Sequence, residues 1–299
     1  MSVVLHTEDL CKRFHRTTVL DRLAFTVDEG SIYGLVGPNG AGKTTTLKVL
    51  MNILEPTSGQ AVVLDTDSRR LGPQQFRQIG YVSENQEMPE WMTVDYFMAY
   101  LKPFYPAWDD ARARELLTQF DLPRDRKLKH LSRGMRMKAS LASSLAYRPR
   151  LLVLDEPFTG LDPLVREEFI EGLVECAQET TILISSHDLA EIESVVTHIG
   201  FLDRGRLQFS QSMTSLSERF REVEVTLDEP VSLPQGLPAH WLRVETSPSV
   251  VRFVDSRFER DRTIDEVHRL FGGRVRIAAT AMSLREIFVT LARASRKAA

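Results

Sequence analysis

The sequence lacks several features that would place it outside ordinary globular proteins. Its 299 residues include only two cysteines, Cys11 and Cys176, whose contexts give neither a disulfide framework nor a metal-ligand spacing. No run of eighteen apolar residues occurs, and the first residues do not combine a basic segment with a long apolar one. The sequence therefore predicts neither a membrane-spanning helix nor a signal peptide, and we expect the chain to stay in the cytoplasm.

A basic excess is also missing. The 38 Lys and Arg residues are balanced by 41 Asp and Glu residues, so the formal net charge is -3. Proteins that bind nucleic acid usually carry a clear positive excess, and we expect no nucleic-acid partner here. A chain of this length, with 42% hydrophobic residues, is ordinary for a globular protein and can bury one large core and a smaller second one.

The clearest motif that is present covers residues 37–45, Gly-Pro-Asn-Gly-Ala-Gly-Lys-Thr-Thr. An apolar run precedes it at residues 32–36, and a helical pattern follows it at residues 46–51. This is the strand, glycine loop and helix of a phosphate-binding loop, in which backbone N–H groups surround phosphates. Lys43 would reach the outer phosphates, and Thr44 would hold magnesium. The dipole of the helix adds a positive end that faces the same anion.

Polar residues follow two further core strands. Residues 151–154 form a continuous apolar run that ends in Asp155 and Glu156, and residues 181–185 lead to His187. Ligands of open α/β sheets bind at the carboxyl ends of the strands. An aspartate there can hold a phosphate-bound magnesium, and Glu156 is placed to orient or deprotonate a water. His187 is either a phosphate contact or an ordinary hydrogen-bonded histidine.

The sequence outside these motifs predicts three further structural parts: a lead-in sheet, a helical insert and a C-terminal domain. Short strands at residues 3–7 and 23–27 indicate an antiparallel lead-in sheet, in which Phe14 is either an edge residue or a stacking surface for a base. Helical spacing over residues 92–147 indicates a helical insert, whose aromatic and Met-rich side chains form either core or a face for a partner. Beyond a helix at residues 189–197, strands and capping boxes at Thr263–Glu266 and Ser283–Glu286 predict a small C-terminal α+β domain.

Residues 1 to about 215 resemble the ATP-binding subunit of an ABC transporter. The resemblance depends on five motifs and their order: residues 37–45, Leu131-Ser132-Arg133-Gly134-Met135, residues 151–157 ending in Asp155-Glu156-Pro157, Gly160-Leu161-Asp162, and His187. It implies an α/β P-loop NTPase of ABC type, with an antiparallel β subdomain and a helical subdomain at about residues 85–148. Residues 216–299 would be an accessory α+β domain similar to those of bacterial ATPases that drive exporters.

The resemblance also implies an ATPase that uses ATP and Mg²⁺, works as a head-to-tail dimer and energises a separate integral membrane permease at the cytoplasmic face of the membrane. The second ATPase subunit would be either an identical or a closely related chain. Lys43, Glu156 and His187 would be catalytic, and Thr44 and Asp155 would hold the metal. The nucleotide would contact the loop residues Gly37, Pro38, Asn39, Gly40, Ala41, Gly42, Lys43, Thr44 and Thr45, with Phe14 stacked on adenine.

Across the dimer, Ser132 and Gly134 would serve the other subunit's nucleotide, and Asp162 would link the two sites. Three positions depart from the family pattern. Arg133 and Met135 replace a glycine and a glutamine of the signature Leu-Ser-Gly-Gly-Gln, and Glu84 stands where a glutamine near the metal is usual. We expect Glu84 to belong to the metal site together with Thr44 and Asp155, and Gln86 to take that place only if the loop is shifted by two residues.

Two other functions fit some of these features. An ABC-type ATPase that acts on nucleic acid or the ribosome usually has two ATPase copies or long coiled-coil insertions, whereas this chain has one motif set and no sustained heptads. The altered positions Glu84, Arg133 and Met135 would also fit a regulatory subunit that binds ATP and hydrolyses it slowly. An ATPase that powers transport accounts for more of the chain than either alternative.

Overall fold

The computed structural model describes residues 2–84, 86–177, 179–228, 233–234, 236–272 and 275–298. For residues 295–298 it describes the backbone only. The chain divides into two compact units, Met1–Ser210 and Gln211–Ala299. The strands are β1 Val3–Phe14, β2 Thr17–Asp28, β3 Ile32–Val36, β4 Ser58–Val63, β5 Thr66–Asp67, β6 Ile79–Ser83, β7 Leu151–Asp155, β8 Thr181–Ser186, β9 His198–Asp203, β10 Arg206–Ser212, β11 Arg221–Leu227, β12 Trp241–Ser247, β13 Val250–Asp255 and β14 Val275–Ala281. The helices are α1 Lys43–Leu50, α2 Pro73–Phe76, α3 Val94–Leu101, α4 Asp110–Gln119, α5 Arg133–Leu145, α6 Pro163–Cys176, α7 Met213–Arg219, α8 Arg260–Phe271 and α9 Leu284–Ala298.

Two sheets share the first unit. One is antiparallel, with the strand order β2-β1-β4-β5, and the other has six strands in the order β10-β9-β3-β8-β7-β6. In the second sheet β3 pairs in parallel with both β8 and β9, and β7 pairs in parallel with both β8 and β6. Strands β3, β7 and β8 are buried along their whole length, as expected for parallel strands covered on both faces. Their carboxyl ends therefore lie side by side at one edge.

Helices α3, α4 and α5 form the connection between β6 and β7. The residue before each helix accepts, through its side chain, a hydrogen bond from a backbone N–H of the first turn. These residues are Thr93, Asp109 and Ser132. The insert's aromatic residues are divided between two environments. Phe97 is buried in the core, whereas Tyr96, Tyr100 and Phe104 are about half exposed.

The second unit is a four-stranded antiparallel sheet in the order β12-β13-β11-β14, packed with α8 and α9. Its core contains Trp241, which stacks on Phe253 with ring centroids 3.8 Å apart, and Val267 of α8. The capping box at Ser283 and Glu286 forms as expected at the start of α9, since each side chain bonds the other residue's backbone N–H.

Two local predictions are wrong. The helix expected at residues 189–197 is a single 3-10 turn at Leu189–Glu191, followed by turns. The capping box expected at Thr263 does not open a helix, because α8 already begins at Arg260 and the Thr263 hydroxyl donates instead to Asp255 Oδ2 at 2.6 Å.

The sequence predicts a domain boundary at about residue 215, and the two compact units of the structure divide after Ser210. No helix within the described ranges has the length and apolar composition needed to cross a bilayer.

Candidate nucleotide site

The phosphate loop joins β3 to α1 at the edge where the parallel strands end. The Gly37 N–H donates to the carbonyl of Ser186 at 3.2 Å, which attaches the loop to the end of β8. Gly42 precedes α1 with φ +111°, and a Cβ there would lie 2.8 Å from Leu20 Cδ2. A residue with a side chain would be strained and crowded at this position, so glycine is required for the loop to enter the helix.

Lys43 is almost completely buried, with 5% of its side chain exposed. Its Nζ donates to the carbonyls of Gly37 at 2.7 Å and Pro38 at 3.3 Å, and it lies 3.0 Å from Glu156 Oε1. A buried ammonium is stable only when its charge is compensated. The loop therefore holds one cation in its centre, and the carboxylate of Glu156, directly after β7, balances it.

Asp155, at the end of β7, is a second ionisable side chain that hydrogen bonds hold in the site. Its Oδ1 accepts hydrogen bonds from Thr44 Oγ1 at 3.0 Å and from Ser185 Oγ at 2.8 Å. Burial raises the pKa of Asp155, and the Ser185 and Thr44 hydroxyls only partly offset that effect. A buried carboxylate beside a threonine hydroxyl supplies the oxygen ligands that Mg²⁺ prefers, so these residues fit a magnesium ion.

Glu156 directs its carboxylate back into the site. Its backbone adopts φ +50°, a left-handed conformation that is uncommon for a residue with a side chain. Glu156 Oε2 lies 2.8 Å from His187 Nδ1, while Oε1 contacts Lys43. Burial raises the pKa of Glu156, but the hydrogen bonds from His187 and Lys43 outweigh it, so the net pKa lies below the usual value. The carboxylate is therefore ionised at neutral pH, and its hydrogen bond raises the pKa of His187.

A cavity of about 490 Å³ lies over the loop and collects most of the predicted site residues. It is lined by Val19, Asn39, Gly40, Gly42, Lys43, Thr44, Thr45, Glu84, Glu156, Thr159 and His187. Gly37 and Pro38 contribute their carbonyls to Lys43, and Ala41 is buried in the loop. Phe14 is 41% exposed at the end of β1, with the Lys12 ammonium 4.9 Å from its ring centroid, and is not among the residues that line this cavity.

Glu84 directly follows β6, and its backbone N–H donates to the carbonyl of Asp155 at 3.1 Å. Its carboxylate pairs with the Arg133 guanidinium of α5. Gln86, the alternative for this place, accepts a hydrogen bond from Ser140 Oγ at 2.7 Å and does not line the nucleotide cavity. The register between β6 and β7 thus brings Glu84, rather than Gln86, to the phosphate loop.

The other predicted nucleotide contacts lie at helix ends away from this cavity. Ser132 caps α5 by accepting from the Met135 N–H at 3.2 Å, and Asp162 caps α6 by accepting from the Val165 N–H at 3.1 Å. Gly134 is buried, and a Cβ there would lie 2.8 Å from Val165 Cγ1. Within one chain the structure therefore does not bring Ser132, Gly134 or Asp162 to the phosphate loop.

Sequence reasoning missed one residue that orders the site. The fully buried Ser185 donates to Asp155 Oδ1, and its hydroxyl also accepts from the Glu156 N–H at 3.0 Å. It fixes both acidic residues at once. A serine that ends the apolar run 181–184 was the available signal, because a buried hydroxyl needs a polar partner.

Comparison with known proteins identifies the family to which this chain belongs. The ABC transporter family profile matches residues 20–159. The ABC transporter ATP-binding protein YtrB of Bacillus subtilis is 31% identical over 232 residues, which are 77% of this chain and 79% of the relative. The bacitracin transport ATP-binding protein BcrA of Bacillus licheniformis is 33% identical over 226 residues, 74% of each chain.

A solved ATP-binding subunit of an ABC transporter superposes with a TM-score of 0.66 and 28% identity, covering 72% of this chain and 92% of that one. The fold is that of a P-loop NTPase of the ABC type, and members of this family bind ATP and hydrolyse it to power transport. The chain belongs to the ATP-binding proteins of ABC transporters, and it is an ATPase coupled to transport.

Proposed function

We propose that this chain binds Mg²⁺-ATP on the phosphate loop and hydrolyses it with Glu156 as the general base. The observation that carries the proposal is the convergence of Lys43, Asp155, Glu156 and His187 at adjacent strand ends. Bound magnesium would be held by Thr44 and Asp155 and would neutralise phosphate charge. The rest of the chemistry lies with the protein's own side chains.

Each side chain has a distinct task in this proposal. Lys43 leaves Glu156 and binds the outer phosphates, which are stronger anionic partners than one carboxylate. Glu156, freed from the ammonium, accepts a proton from the attacking water. His187 remains hydrogen-bonded to Glu156, holds that carboxylate in place and contacts the γ-phosphate. Phe14 supplies a ring face for adenine at the end of β1.

We further propose that two such subunits hold two ATP molecules between them. Ser132 and Gly134 lie at the start of α5, whose free N–H groups favour an anion, yet they do not line the cavity of their own chain. They would complete the nucleotide site of a second ATPase subunit, identical or closely related, and Asp162 would link the two sites.

The permease would dock on the helical insert. A second cavity of about 500 Å³ lies between the insert and the strand core, and it is lined by apolar and aromatic side chains including Met51, Ile53, Phe76, Tyr81 and Tyr100. Tyr100 and Phe104, which contact each other edge to face, are about half exposed beside it. Exposed aromatic clusters of this kind are typical of protein interfaces. The subunit would then lie at the cytoplasmic face of the membrane, and residues 211–299 would be the accessory domain of an exporter.

Capture from detergent-solubilised membranes of the native host tests the permease. The tagged wild-type chain should recover one integral membrane protein, and Tyr100→Arg should lose it. Val174→Arg changes an equally exposed apolar residue on α6 and serves as the matched control, which should recover the same protein. If wild type recovers no integral membrane protein, or if both variants behave alike, the docking proposal is wrong.

A further inference from the structure

Two of the three positions that depart from the family pattern contact each other. Arg133 Nη2 of α5 donates to Glu84 Oε1 in the loop after β6, although the residues are 49 positions apart. The same guanidinium lies over Gly160, where a Cβ would be 2.9 Å from Arg133 Nη1. Arg133 therefore joins the loop that follows β6, the segment that follows Glu156 and the start of α5, the last helix of the insert.

Glu84 alone would be unfavourable for nucleotide binding. It lines the nucleotide cavity together with Lys43 and Glu156, and Asp155 accepts a hydrogen bond from Thr44 of the same lining. The carboxylates at this cavity oppose a bound triphosphate, because like charges at short distance repel strongly in a partly buried site. An uncompensated Glu84 would therefore weaken phosphate binding.

Arg133 alone would also be in an unfavourable place. It is the first residue of α5, where the helix dipole is positive and acidic side chains are preferred. The Glu84 carboxylate compensates the arginine and also faces the positive helix end. Each residue thus corrects the electrostatic disadvantage of the other, and the pair is only partly exposed, at 41% for Arg133 and 25% for Glu84.

We propose that the Glu84–Arg133 ion pair is a positioning device for the ATPase reaction, in which Arg133 neutralises Glu84 so that the phosphate loop accepts a nucleotide. Arg133 acts through Glu84 and not by touching the nucleotide of its own chain. The pair also ties the nucleotide cavity to the start of α5. The inference rests on the proposed function of the phosphate loop.

A double-mutant cycle separates this role from a general structural one. The dissociation constant of a fluorescent ATP analogue with Mg²⁺ is measured by titration for Arg133→Gln, Glu84→Gln and the double variant, together with KM and kcat. We expect Arg133→Gln to weaken binding about fivefold, the size of effect typical of a partly exposed charge pair. The same change in the Glu84→Gln background should have no effect, because no carboxylate is left to neutralise.

Two further variants serve as controls. Arg133→Lys keeps the charge and should bind within about twofold of wild type. Arg136→Gln removes an equal charge one turn along α5, from the cavity that Arg136 shares with Glu84 and Arg133, and should also stay within about twofold. Thermal unfolding of each variant confirms that the fold is retained.

The outcomes distinguish this inference from the function on which it rests. If Arg133→Gln weakens binding equally in both backgrounds, Arg133 contacts the nucleotide itself or acts on the fold, and the inference is wrong. It is also wrong if Arg136→Gln has the same effect as Arg133→Gln, or if Arg133→Gln has none. If wild type fails to bind the analogue at all, the proposed function of the loop is wrong, and the role of the pair with it.

Discussion

Substituting Glu156 by glutamine tests the centre of the site, because this one carboxylate contacts both Lys43 and His187. Glutamine has almost the same shape and keeps a carbonyl oxygen, but it cannot accept a proton from water. The change therefore removes the proposed general base and leaves the packing of a side chain that is only 14% exposed. Two separate effects should follow, one on hydrolysis and one on binding.

The effect on hydrolysis follows from the role of a general base, which is typically worth about 10²- to 10⁴-fold in rate. At about 1.4 kcal/mol per factor of ten, the activation free energy should rise by about 3–5 kcal/mol. The affinity for ATP, in contrast, should increase. A phosphate charge ~6 Å from the Glu156 carboxylate is repelled by about 3 kcal/mol at an effective permittivity of ~20. Removing the ionised carboxylate therefore favours a bound triphosphate.

Steady-state phosphate release measures the first effect, and size-exclusion chromatography with ATP and Mg²⁺ measures the second. The Glu156→Gln protein should elute as an ATP-stabilised dimer, since nucleotide binds tightly and is not consumed. Glu8→Gln removes the same charge from an exposed position of β1 and should match wild type in both assays. Unchanged phosphate release by Glu156→Gln would refute the assignment of Glu156 as the base.

Three further changes probe other parts of the chain. Burial raises the pKa of the Cys176 thiol to about 12, so a disulfide reagent at pH 8 should modify the half-buried Cys11 first and reach Cys176 only after unfolding; equal rates would contradict this. Because the hydrogen bond to Glu156 raises the pKa of His187, its stabilising contribution is complete below about pH 6.5 and is lost as pH rises through the folded-state pKa. Proton NMR should show that Glu156→Gln lowers this pKa, and an unchanged value would refute the pairing. The buried Tyr147 hydroxyl donates to a β6 carbonyl at 2.9 Å, so Tyr147→Phe should reduce the free energy of unfolding by about 1–2 kcal/mol in urea titrations, whereas no loss would mean that water replaces the bond.

The sequence predicted the strand ends well because the motif residues directly follow the buried strands and so mark where these strands end. An apolar run followed at once by Asp155 or by a glycine loop marks both the end of a buried strand and the place where its side chains meet a ligand. Parallel pairing of β3, β7 and β8 then places these strand ends side by side at one edge of the sheet.

The failures have a different cause. Residues 189–197 have buried apolar positions at helical spacing, yet the chain turns, because Thr197 Oγ1 pairs with the backbone of Ile32 and Glu191 accepts from Ser186 Oγ. Periodicity predicts which side chains are buried but not where the backbone hydrogen bonds go. The contact between Glu84 and Arg133 could not be predicted from the sequence either, because it depends on how the helical insert folds back over the loop after β6.

The strand order of the six-stranded sheet has a consequence for biosynthesis. Strand β3 lies between β8 and β9, so it has no sheet neighbour until roughly 145 further residues have been made. At about 5–20 residues per second this takes about 7–30 s on the ribosome. During that time β3 has no strand to pair with, and the phosphate loop lacks the Ser186 carbonyl at the end of β8 that accepts from the Gly37 N–H. Nucleotide can therefore stabilise the nascent chain only after β8 has emerged, which makes the interval before it the period of greatest risk of aggregation.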